Sequence, residues 1–345
     1  LLQFTIPLLI GNVFQQLYNM VDSIVVGNFV GENALGAIGT TNSLQFFFFS
    51  LVLGLSIGIG IVVSQYFGSS DEENVKNTIG NAIWAISICS VLMSLVGFFL
   101  ARPALVLMNT DPAILEDAVI YLKVTAIGFI CVGMYNGVSS ILRALGDTKT
   151  PLTFLIVASL INVALDLLFV LQFKWGVVGV AVATAFAQLI SAVACNYILP
   201  LNVQHFSDLQ KENLKIKKAI LYKCLQLGIP VALQNALIAV SLIVLQGVVN
   251  GFGATFTTAF TVVARIEQLV QQPFMSLGSA ISTFTGQNMG AGNVKRVKQG
   301  FFSGTIISTV FALAVLPIFW GFAPQIISIF GKSPDVIAIG TVGLR

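Results

Sequence analysis

Long apolar segments separated by short polar breaks make up almost the whole chain. A helix needs about 20 consecutive apolar residues to cross the hydrocarbon core of a membrane, and most of these segments reach that length. The pattern therefore predicts nine complete membrane-spanning helices and the start of a tenth near Pro334. The nine helices are predicted at residues 4–28, 35–66, 78–101, 116–142, 151–172, 177–200, 220–250, 255–287 and 299–322.

The composition agrees with this pattern and excludes a water-soluble protein. Hydrophobic residues make up 56% of the chain and charged residues only 9%, whereas soluble domains carry about 25% charged residues. So few charged side chains cannot cover the surface of a soluble protein of 345 residues. We therefore expect an all-α polytopic membrane protein.

The distribution of basic residues between the loops predicts the orientation, because cytoplasmic loops accumulate lysine and arginine. The loops after the even-numbered helices hold Lys76, Arg143, Lys149, Lys211, Lys215, Lys217, Lys218, Lys223, Lys295, Arg296 and Lys298. The opposite loops hold only Arg102, Lys123, Lys174 and Lys332. The prediction is a multi-pass protein of the cell (inner) membrane with a cytoplasmic N-terminus.

The sequence also contains an internal repeat with an offset of about 222 residues. LQFTIP at 2–7 aligns with LQLGIP at 225–230, and QYFG at 65–68 aligns with QNMG at 287–290. Two shorter matches follow in the same order, which favours a true duplication. Six helices per repeat imply two parallel halves related by a pseudo-twofold axis along the membrane normal.

The repeat predicts how the chain is organised. Residues 1–200 form an N-lobe of six helices, residues 201–218 form a lysine-rich cytoplasmic linker, and residues 219–345 form a partial C-lobe. The C-lobe then holds helices seven to nine and the start of the tenth. By comparison with the first repeat, we expect roughly 100 residues to be absent at the C-terminal end. A short N-terminal piece is expected to precede Leu1.

Three carboxylates fall within the predicted helices: Asp22, Asp166 and Glu267. A charged side chain at the centre of the bilayer costs about 2.5 to 3.5 kcal/mol on insertion scales, so such residues are functional candidates. No lysine or arginine is predicted at the level of Asp22 and Asp166 in the same helices, so an ion pair does not explain them. The alternative is a structural role in which both satisfy neighbouring polar groups.

Depth along the helices predicts that Asp22 and Asp166 lie together with Asn162 and Thr184. Each aspartate precedes the outer end of its helix by about six residues, and Thr184 follows the outer start of helix six by about seven. Asn162 is one turn from Asp166 on the same helical face. Carboxylate, amide and hydroxyl oxygens suit a small hard cation or a shared proton. The four residues are therefore a predicted site for Na⁺ or H⁺.

Glu267, near the middle of the eighth helix, is a further ionisable candidate. Arg265 is two positions away, and residues at that spacing point apart on a helix. Glu267 is either a second ionisable site or a support for a helix outside this chain, and the sequence leaves both open.

Pro7 either kinks the first helix or lies in its first turn, where proline is tolerated.

Other kinds of chemistry have no pattern in the sequence. The single histidine, His205, has no second histidine with which to share a metal. The cysteines Cys89, Cys131, Cys195 and Cys224 are far apart without CxxC spacing, so they indicate neither disulfides nor zinc. There is no phosphate-binding glycine motif and no basic face for nucleic acid. We therefore expect neither an enzyme nor a cofactor other than the coupling ion, and no nucleic-acid partner.

Four segments resemble the multidrug and toxic compound extrusion (MATE) family of secondary transporters. They are VDSIVVG at 21–27, SQYFG at 64–68, LRALGDTKTP at 142–151 and GQNMGAG at 286–292. Each motif is weak alone, but their order and spacing make the set fairly specific. The resemblance extends over the whole chain and implies two six-helix lobes arranged as a V around a central cavity, with the second lobe incomplete here.

The resemblance also implies roles for particular residues. In the DinF-like prokaryotic branch, an N-lobe cation site uses residues that match Asp22, Asn162, Asp166 and Thr184. A tyrosine and an asparagine of helix four near that network match Tyr121 and Asn136, and the proline at which helix one bends in some members matches Pro7.

One feature departs from the NorM-like branch of the family. That branch carries an acidic residue in helix seven, where this chain has Gln234, Asn235 and Gln246 but no carboxylate. The resemblance therefore implies that ion coupling lies in the first lobe.

The function expected from the residues and the resemblance together is secondary active multidrug efflux. The substrates would be small organic cations or amphipathic drugs, exported in antiport with Na⁺ or H⁺ by a monomer in the lipid bilayer. A lipid-linked oligosaccharide flippase of the same broad superfamily is the first alternative, although Arg265 is the only basic residue deep in a predicted helix. A membrane-embedded enzyme is the second, less favoured alternative.

Overall fold

The structure is a computed structural model that describes residues 1–108, 110–202, 209–252, 254–330 and 334–345. His205 and the other residues of the 203–208 part of the predicted linker lie outside the described residues, as do Lys332 and the side chains of Cys195 and Gln246.

All regular structure in the described ranges is helical. The ten α-helices there are α1 (Leu2–Phe29), α2 (Glu32–Gly68), α3 (Glu72–Leu107), α4 (Pro112–Ala144), α5 (Lys149–Leu167), α6 (Gly176–Asn202), α7 (Lys218–Asn250), α8 (Ala254–Gly290), α9 (Val294–Phe330) and α10 (Pro334–Leu344). A π-helical turn, Leu168–Gln172, continues α5. Within the described residues, seven helical stretches are long and apolar enough to cross a membrane. The prediction of a polytopic all-α protein is confirmed.

Several helices are longer than the hydrophobic pattern predicted. The third helix spans Glu72–Leu107 instead of 78–101, and the ninth spans Val294–Phe330 instead of 299–322. The predicted bounds were too short at these ends because hydrophobicity marks the part of a helix in hydrocarbon, whereas backbone hydrogen bonding continues into the polar interface.

Asp71 explains the early start of α3. Its side chain accepts hydrogen bonds from the side-chain Nδ2 of Asn74 at 2.7 Å and from the backbone N–H of Asn74 at 3.1 Å. These bonds hold the pKa of Asp71 below its ordinary value. Asp71, in the polar break between α2 and α3, is therefore the N-cap residue of α3.

The helices form two lobes. In the first lobe, α4 packs against α2, α3 and α6, while α1 and α5 pack together beside α6. In the second lobe, α8 packs against α9 and α10. The lobes meet where α7 lies along α2 and where α8 lies along α1 and α2. One buried apolar core crosses this boundary and contains Ile59 of α2, Ile79 of α3, Ile141 of α4 and Cys224 of α7.

Glycines allow α2 and α7 to approach closely. A Cβ atom added to Gly54 would lie 2.5 Å from the backbone nitrogen of Ala232, and one added to Gly58 would lie 2.5 Å from the carbonyl oxygen of Cys224. Gly228 of α7 packs in turn on the carbonyl of Gly54. Small residues at such positions bring helix backbones into direct contact.

The contact between the ends of α2 and α8 repeats the internal duplication. Gly68 packs on the carbonyl of Gln287, and Gly290 packs on the carbonyl of Gln65. In the repeat, Gln65 corresponds to Gln287 and Gly68 corresponds to Gly290. A contact that is made once in each direction between equivalent residues is the signature of a twofold axis. The predicted pseudo-twofold relation between the lobes is therefore present. We call this contact, with the α2–α7 contact beside it, the lobe seam.

Candidate functional site

Asp22 and Asp166 reach the same end of the first lobe. Asp22 lies near the end of α1, and Asp166 is the residue before the last one of α5. The π-helical turn Leu168–Gln172 begins two residues after Asp166. Turns of this kind are rare and occur often at functional sites.

The carboxyl groups of Asp22 and Asp166 interact directly with each other. Asp166 is fully buried, and Asp22 is partly buried. Among the described residues, no hydrogen-bond donor reaches Oδ1 of Asp22 or either carboxyl oxygen of Asp166. Ionised carboxylates can only accept hydrogen bonds, so the pair needs a proton or a cation between its oxygens to offset their charge.

Asn162 and Thr184 form the adjoining part of the site. Nδ2 of Asn162 donates to Oγ1 of Thr184 at 3.3 Å, and Oγ1 of Thr184 donates to the carbonyl of Val180 at 3.0 Å. Oδ1 of Asn162 is buried, and no donor in the described part of the chain reaches it. Asn162 therefore presents a free acceptor oxygen from the turn of α5 next to Asp166.

Tyr121 of α4 lies within electrostatic range of both aspartates. Its phenol is within hydrogen-bonding reach of Gln45 of α2, and Nε2 of Gln45 donates to Oγ1 of Thr41 at 3.0 Å. The structure thus places Tyr121 beside the aspartates, where the resemblance implied it.

An apolar core covers the site at the end where α1 and α5 finish and α6 begins. Val26, Val170, Val180 and Tyr121 are buried together there. Because this core is densely packed and almost free of polar atoms, it separates the carboxylates from the medium at that end of the lobe.

A small pocket, with room for about one water molecule, lies on the opposite side of the site, between α1, α5 and α6. It is lined by Tyr18, Leu155, Ala158, Ser159, Asn162, Thr184, Ala187 and Gln188. Asn162 and Thr184 belong both to the site and to the pocket. The polar side chains in its wall can hold a water molecule or a small ion next to Asn162.

Tyr18, Gln188 and Gln45 lie at the site but were not predicted from the sequence. Helical spacing could have found two of them, because Tyr18 lies four residues before Asp22 and Gln188 lies four residues after Thr184, on the same helical faces. Gln45 carried no such signal, since it reaches the site only through the packing of α2 against α4.

Asn136 and Pro7 are not brought to the carboxylates. Nδ2 of Asn136 donates to the carbonyl of Val132 in its own helix at 2.8 Å. It lies about 22 Å along α4 from Tyr121, at 1.5 Å per residue.

Pro7 lies in the second turn of α1, and the helix continues through it. Proline has no N–H, so the helical hydrogen bond to the carbonyl of Gln3 cannot form.

Glu267 lies in the second lobe and is exposed. Oε1 of Glu267 accepts a hydrogen bond from Nε2 of Gln271 at 2.9 Å, one turn further along α8. Arg265 is also exposed, and no Arg265–Glu267 ion pair is formed among the described residues. In the repeat, Glu267 corresponds to Gln45, the partner of Tyr121 in the first lobe.

The oxygen atoms of the site decide its chemistry. In the described part of the chain, no cluster of three or more histidine, cysteine, aspartate or glutamate side chains could hold a metal ion. The site instead offers two carboxylates and the amide oxygen of Asn162, with the hydroxyl of Thr184 beside it. This donor set suits a monovalent hard cation or a proton better than a transition metal.

Comparison with known proteins agrees with this architecture. The MatE family model matches residues 7–168 and again residues 230–345. The chain belongs to the MATE family. The two matches begin at Pro7 and Pro230, which are equivalent positions in the internal repeat. MATE proteins are transporters, so the prediction that the chain is not an enzyme is confirmed, and it is a multi-pass membrane protein of a multidrug efflux family.

A curated relative places the chain within this family, and two solved structures share its fold. It is 31% identical over 351 residues to "Probable multidrug resistance protein YpnP" of Bacillus subtilis, covering 100% of this chain and 77% of the relative. A transporter of the MOP superfamily from Pyrococcus furiosus has a TM-score of 0.92 at 24% identity, covering 100% of this chain and 77% of that one, which shows the shared fold. A MATE transporter described as outward-facing has a TM-score of 0.87 at 25% identity, with 100% and 77% coverage.

Proposed function

We propose that this MATE protein is a secondary active exporter of amphipathic or cationic organic compounds, driven by Na⁺ or H⁺ entering the cell. The coupling ion binds at Asp22 and Asp166, with Asn162 and Thr184 as neighbouring ligands. The proposal is supported above all by the contact of the buried carboxyl group of Asp166 with that of Asp22, in which three of the four oxygens have no hydrogen-bond donor among the described residues.

The physical argument concerns the cost of buried charge. Removing an ion from water costs several kcal/mol even after the protein relaxes, unless another charge or a set of hydrogen bonds offsets it. A purely structural aspartate pair would be expected to have such partners, and among the described residues neither oxygen of Asp166 nor Oδ1 of Asp22 has one. A site that binds and releases a cation must instead keep its oxygens available.

The same arrangement links the ion to the substrate. A bound Na⁺ or a shared proton neutralises the pair, and its release restores two negative charges inside the first lobe. A ligand shifts a conformational equilibrium only by its different affinity for the two states. We therefore propose that the substrate binds the cation-free lobe more tightly, so that ion and substrate exclude each other.

Ion gradients imposed separately on proteoliposomes test this proposal. With full-length protein, we expect an imposed Na⁺ gradient or an imposed proton gradient to drive uptake of a fluorescent organic cation against its concentration. Raising the effective ion should also weaken substrate binding measured without a gradient. If neither gradient drives uptake, the antiport proposal is wrong.

We further propose that the N-terminus and the lobe seam are cytoplasmic, in the inner membrane. The basic residues of the linker and of the loops after α2, α4 and α8 support this orientation. A seam closed on that side would make this structure an outward-facing state.

Cysteine labelling in intact cells tests the orientation. A membrane-impermeant maleimide should leave Lys215→Cys, in the exposed end of the linker, unlabelled until the cells are permeabilised. Glu116→Cys, exposed near the start of α4, should be labelled directly. The reverse pattern in a background without native cysteines would overturn the orientation.

A further inference from the structure

The end of the linker, residues 209–217, is bound to one face of α3 beside the lobe seam. Nδ2 of Asn213 donates to Oδ1 of Asn77 at 2.9 Å, and both side chains are buried, with relative exposures of 9% and 1%. Nε1 of Trp84 donates to the carbonyl of Leu214 at 3.0 Å. These bonds join residues that are far apart in sequence, so they depend on tertiary packing.

Asn81 completes this attachment. Its Oδ1 accepts a hydrogen bond from the backbone N–H of Lys217 at 2.9 Å, while its Nδ2 donates to the carbonyl of Asn77 at 2.7 Å. Gly80 lets the linker lie directly on the helix, because a Cβ atom there would collide with the carbonyl of Asn213. Asn77, Gly80, Asn81 and Trp84 share one face of α3 at helical spacing.

The attachment joins the two lobes directly. Lys217 is the N-cap residue of α7, so the bond from Asn81 holds the start of a second-lobe helix directly to a first-lobe helix. Nζ of Lys223, in the second turn of α7, donates to the hydroxyl of Tyr66 at the end of α2 at 3.0 Å. The start of α7 cannot move away from α2 and α3 unless these bonds break.

The equivalent face of the second lobe lacks these residues. In the alignment that pairs Asn74 with Asn293, the positions of Asn77, Asn81 and Trp84 correspond to Arg296, Gly300 and Ser303 of α9. The asparagine and tryptophan side chains are therefore specific to the helix that receives the linker.

We propose that residues 209–217 act as a latch that holds the lobe seam closed and limits how often the lobes separate at this end. The latch is formed by Asn213, Leu214 and Lys217 on the linker and by Asn77, Asn81 and Trp84 on α3. The proposal rests on the proposed function only in assuming that the seam opens during transport. Breaking the latch should favour the open seam, because each lost hydrogen bond stabilised only the closed arrangement.

Cys224 is a native reporter of the seam. Its side chain is 2% exposed in the core between α2 and α7. A buried thiol reacts slowly with maleimides, and its reaction rate rises with the fraction of time that the site is open. Full-length protein in which Cys89, Cys131, Cys195 and any cysteine outside residues 1–345 are replaced by alanine would report the labelling of Cys224 alone.

Asn213→Ala, Asn77→Ala and Trp84→Phe should each accelerate labelling of Cys224 roughly three- to tenfold. Asn77→Ala and Asn213→Ala combined should give less than the product of their separate effects, because they remove the same hydrogen bond. Glu212→Gln is the matched control, since it removes only the exposed pair with Lys215 at 2.8 Å in the same segment. Its labelling rate should stay unchanged.

Unchanged Cys224 labelling in all three latch variants would overturn the proposal, as would equal acceleration by Glu212→Gln. Circular dichroism melting curves distinguish opening of the latch from global unfolding. If the melting temperature of a latch variant falls far enough to explain its faster Cys224 labelling, the latch is rejected. The labelling needs no ion gradient or substrate. A failed transport assay with accelerated labelling would therefore reject the antiport proposal and leave the latch intact.

Discussion

Asp22→Asn and Asp166→Asn should each reduce ion-coupled export to the background level while the protein still inserts into the membrane. Asparagine keeps the shape of aspartate but can carry neither the negative charge that binds a cation nor a transferable proton. Export by proteoliposomes under the effective ion gradient measures the loss. The same variants should unfold at a higher temperature, because one of two adjacent carboxylates, three of whose four oxygens lack a donor among the described residues, has been removed.

Two controls accompany this result. Asp117→Asn makes the same chemical change at an exposed position of α4 and should retain export. Glu267→Gln should have a smaller effect than either aspartate variant, because Glu267 is exposed and already accepts a hydrogen bond from Gln271. An equally large loss for Glu267→Gln would move part of the coupling to the second lobe. Loss of both export and stability in the aspartate variants would indicate a structural role instead.

Gly68→Ala and Gly290→Ala should open the lobe seam and strongly reduce export. Each added Cβ atom would collide with a main-chain carbonyl of the other lobe, Gln287 for Gly68 and Gln65 for Gly290. Overpacking of this kind costs about 1 to 3 kcal/mol, which corresponds to a shift of roughly 5- to 150-fold in the equilibrium between closed and open seams. Faster labelling of Cys224 and slower export would measure the shift.

The same two helices provide matched controls. A Cβ atom at Gly39 of α2 or at Gly278 of α8 would have no atom within 4 Å apart from the neighbouring backbone of its own helix. Glycine to alanine inside a helix otherwise gains up to about 1 kcal/mol from helix propensity, so these variants should be neutral or slightly stabilising. If the Gly39 and Gly278 variants open the seam as much as Gly68→Ala does, the opening is caused by helix propensity and not by the collision.

The sequence predicted the helices well and their ends less well. Hydrophobic length is a local property, so α1 to α9 were each recognised from their own residues. The extension of α3 back to Glu72 depends on the cap at Asp71, and the π-helical turn after Asp166 leaves no distinct hydrophobic pattern. Neither feature changes the apolar content of its segment.

The candidate site was predicted in part. Asp22, Asn162, Asp166 and Thr184 could be placed together because depth along a spanning helix follows from residue count. Tyr121 was placed by resemblance, and the structure brings it to the aspartates. Asn136 was placed by the same resemblance, but it lies further along α4 and bonds within its own helix. The role of these residues in ion coupling stays a prediction.

By itself, the sequence determined the membrane class, the all-helical fold and the duplication, because each follows from composition or spacing along one chain, and it predicted the depth of the carboxylates. The tertiary structure decided what surrounds those carboxylates: the contact between Asp22 and Asp166, the lack of donors to both oxygens of Asp166 among the described residues, and the small pocket beside Asn162. It also decided the lobe seam and the binding of the linker to α3. These contacts join helices whose relative rotation no single helical pattern specifies, so only packing of the whole chain fixes them.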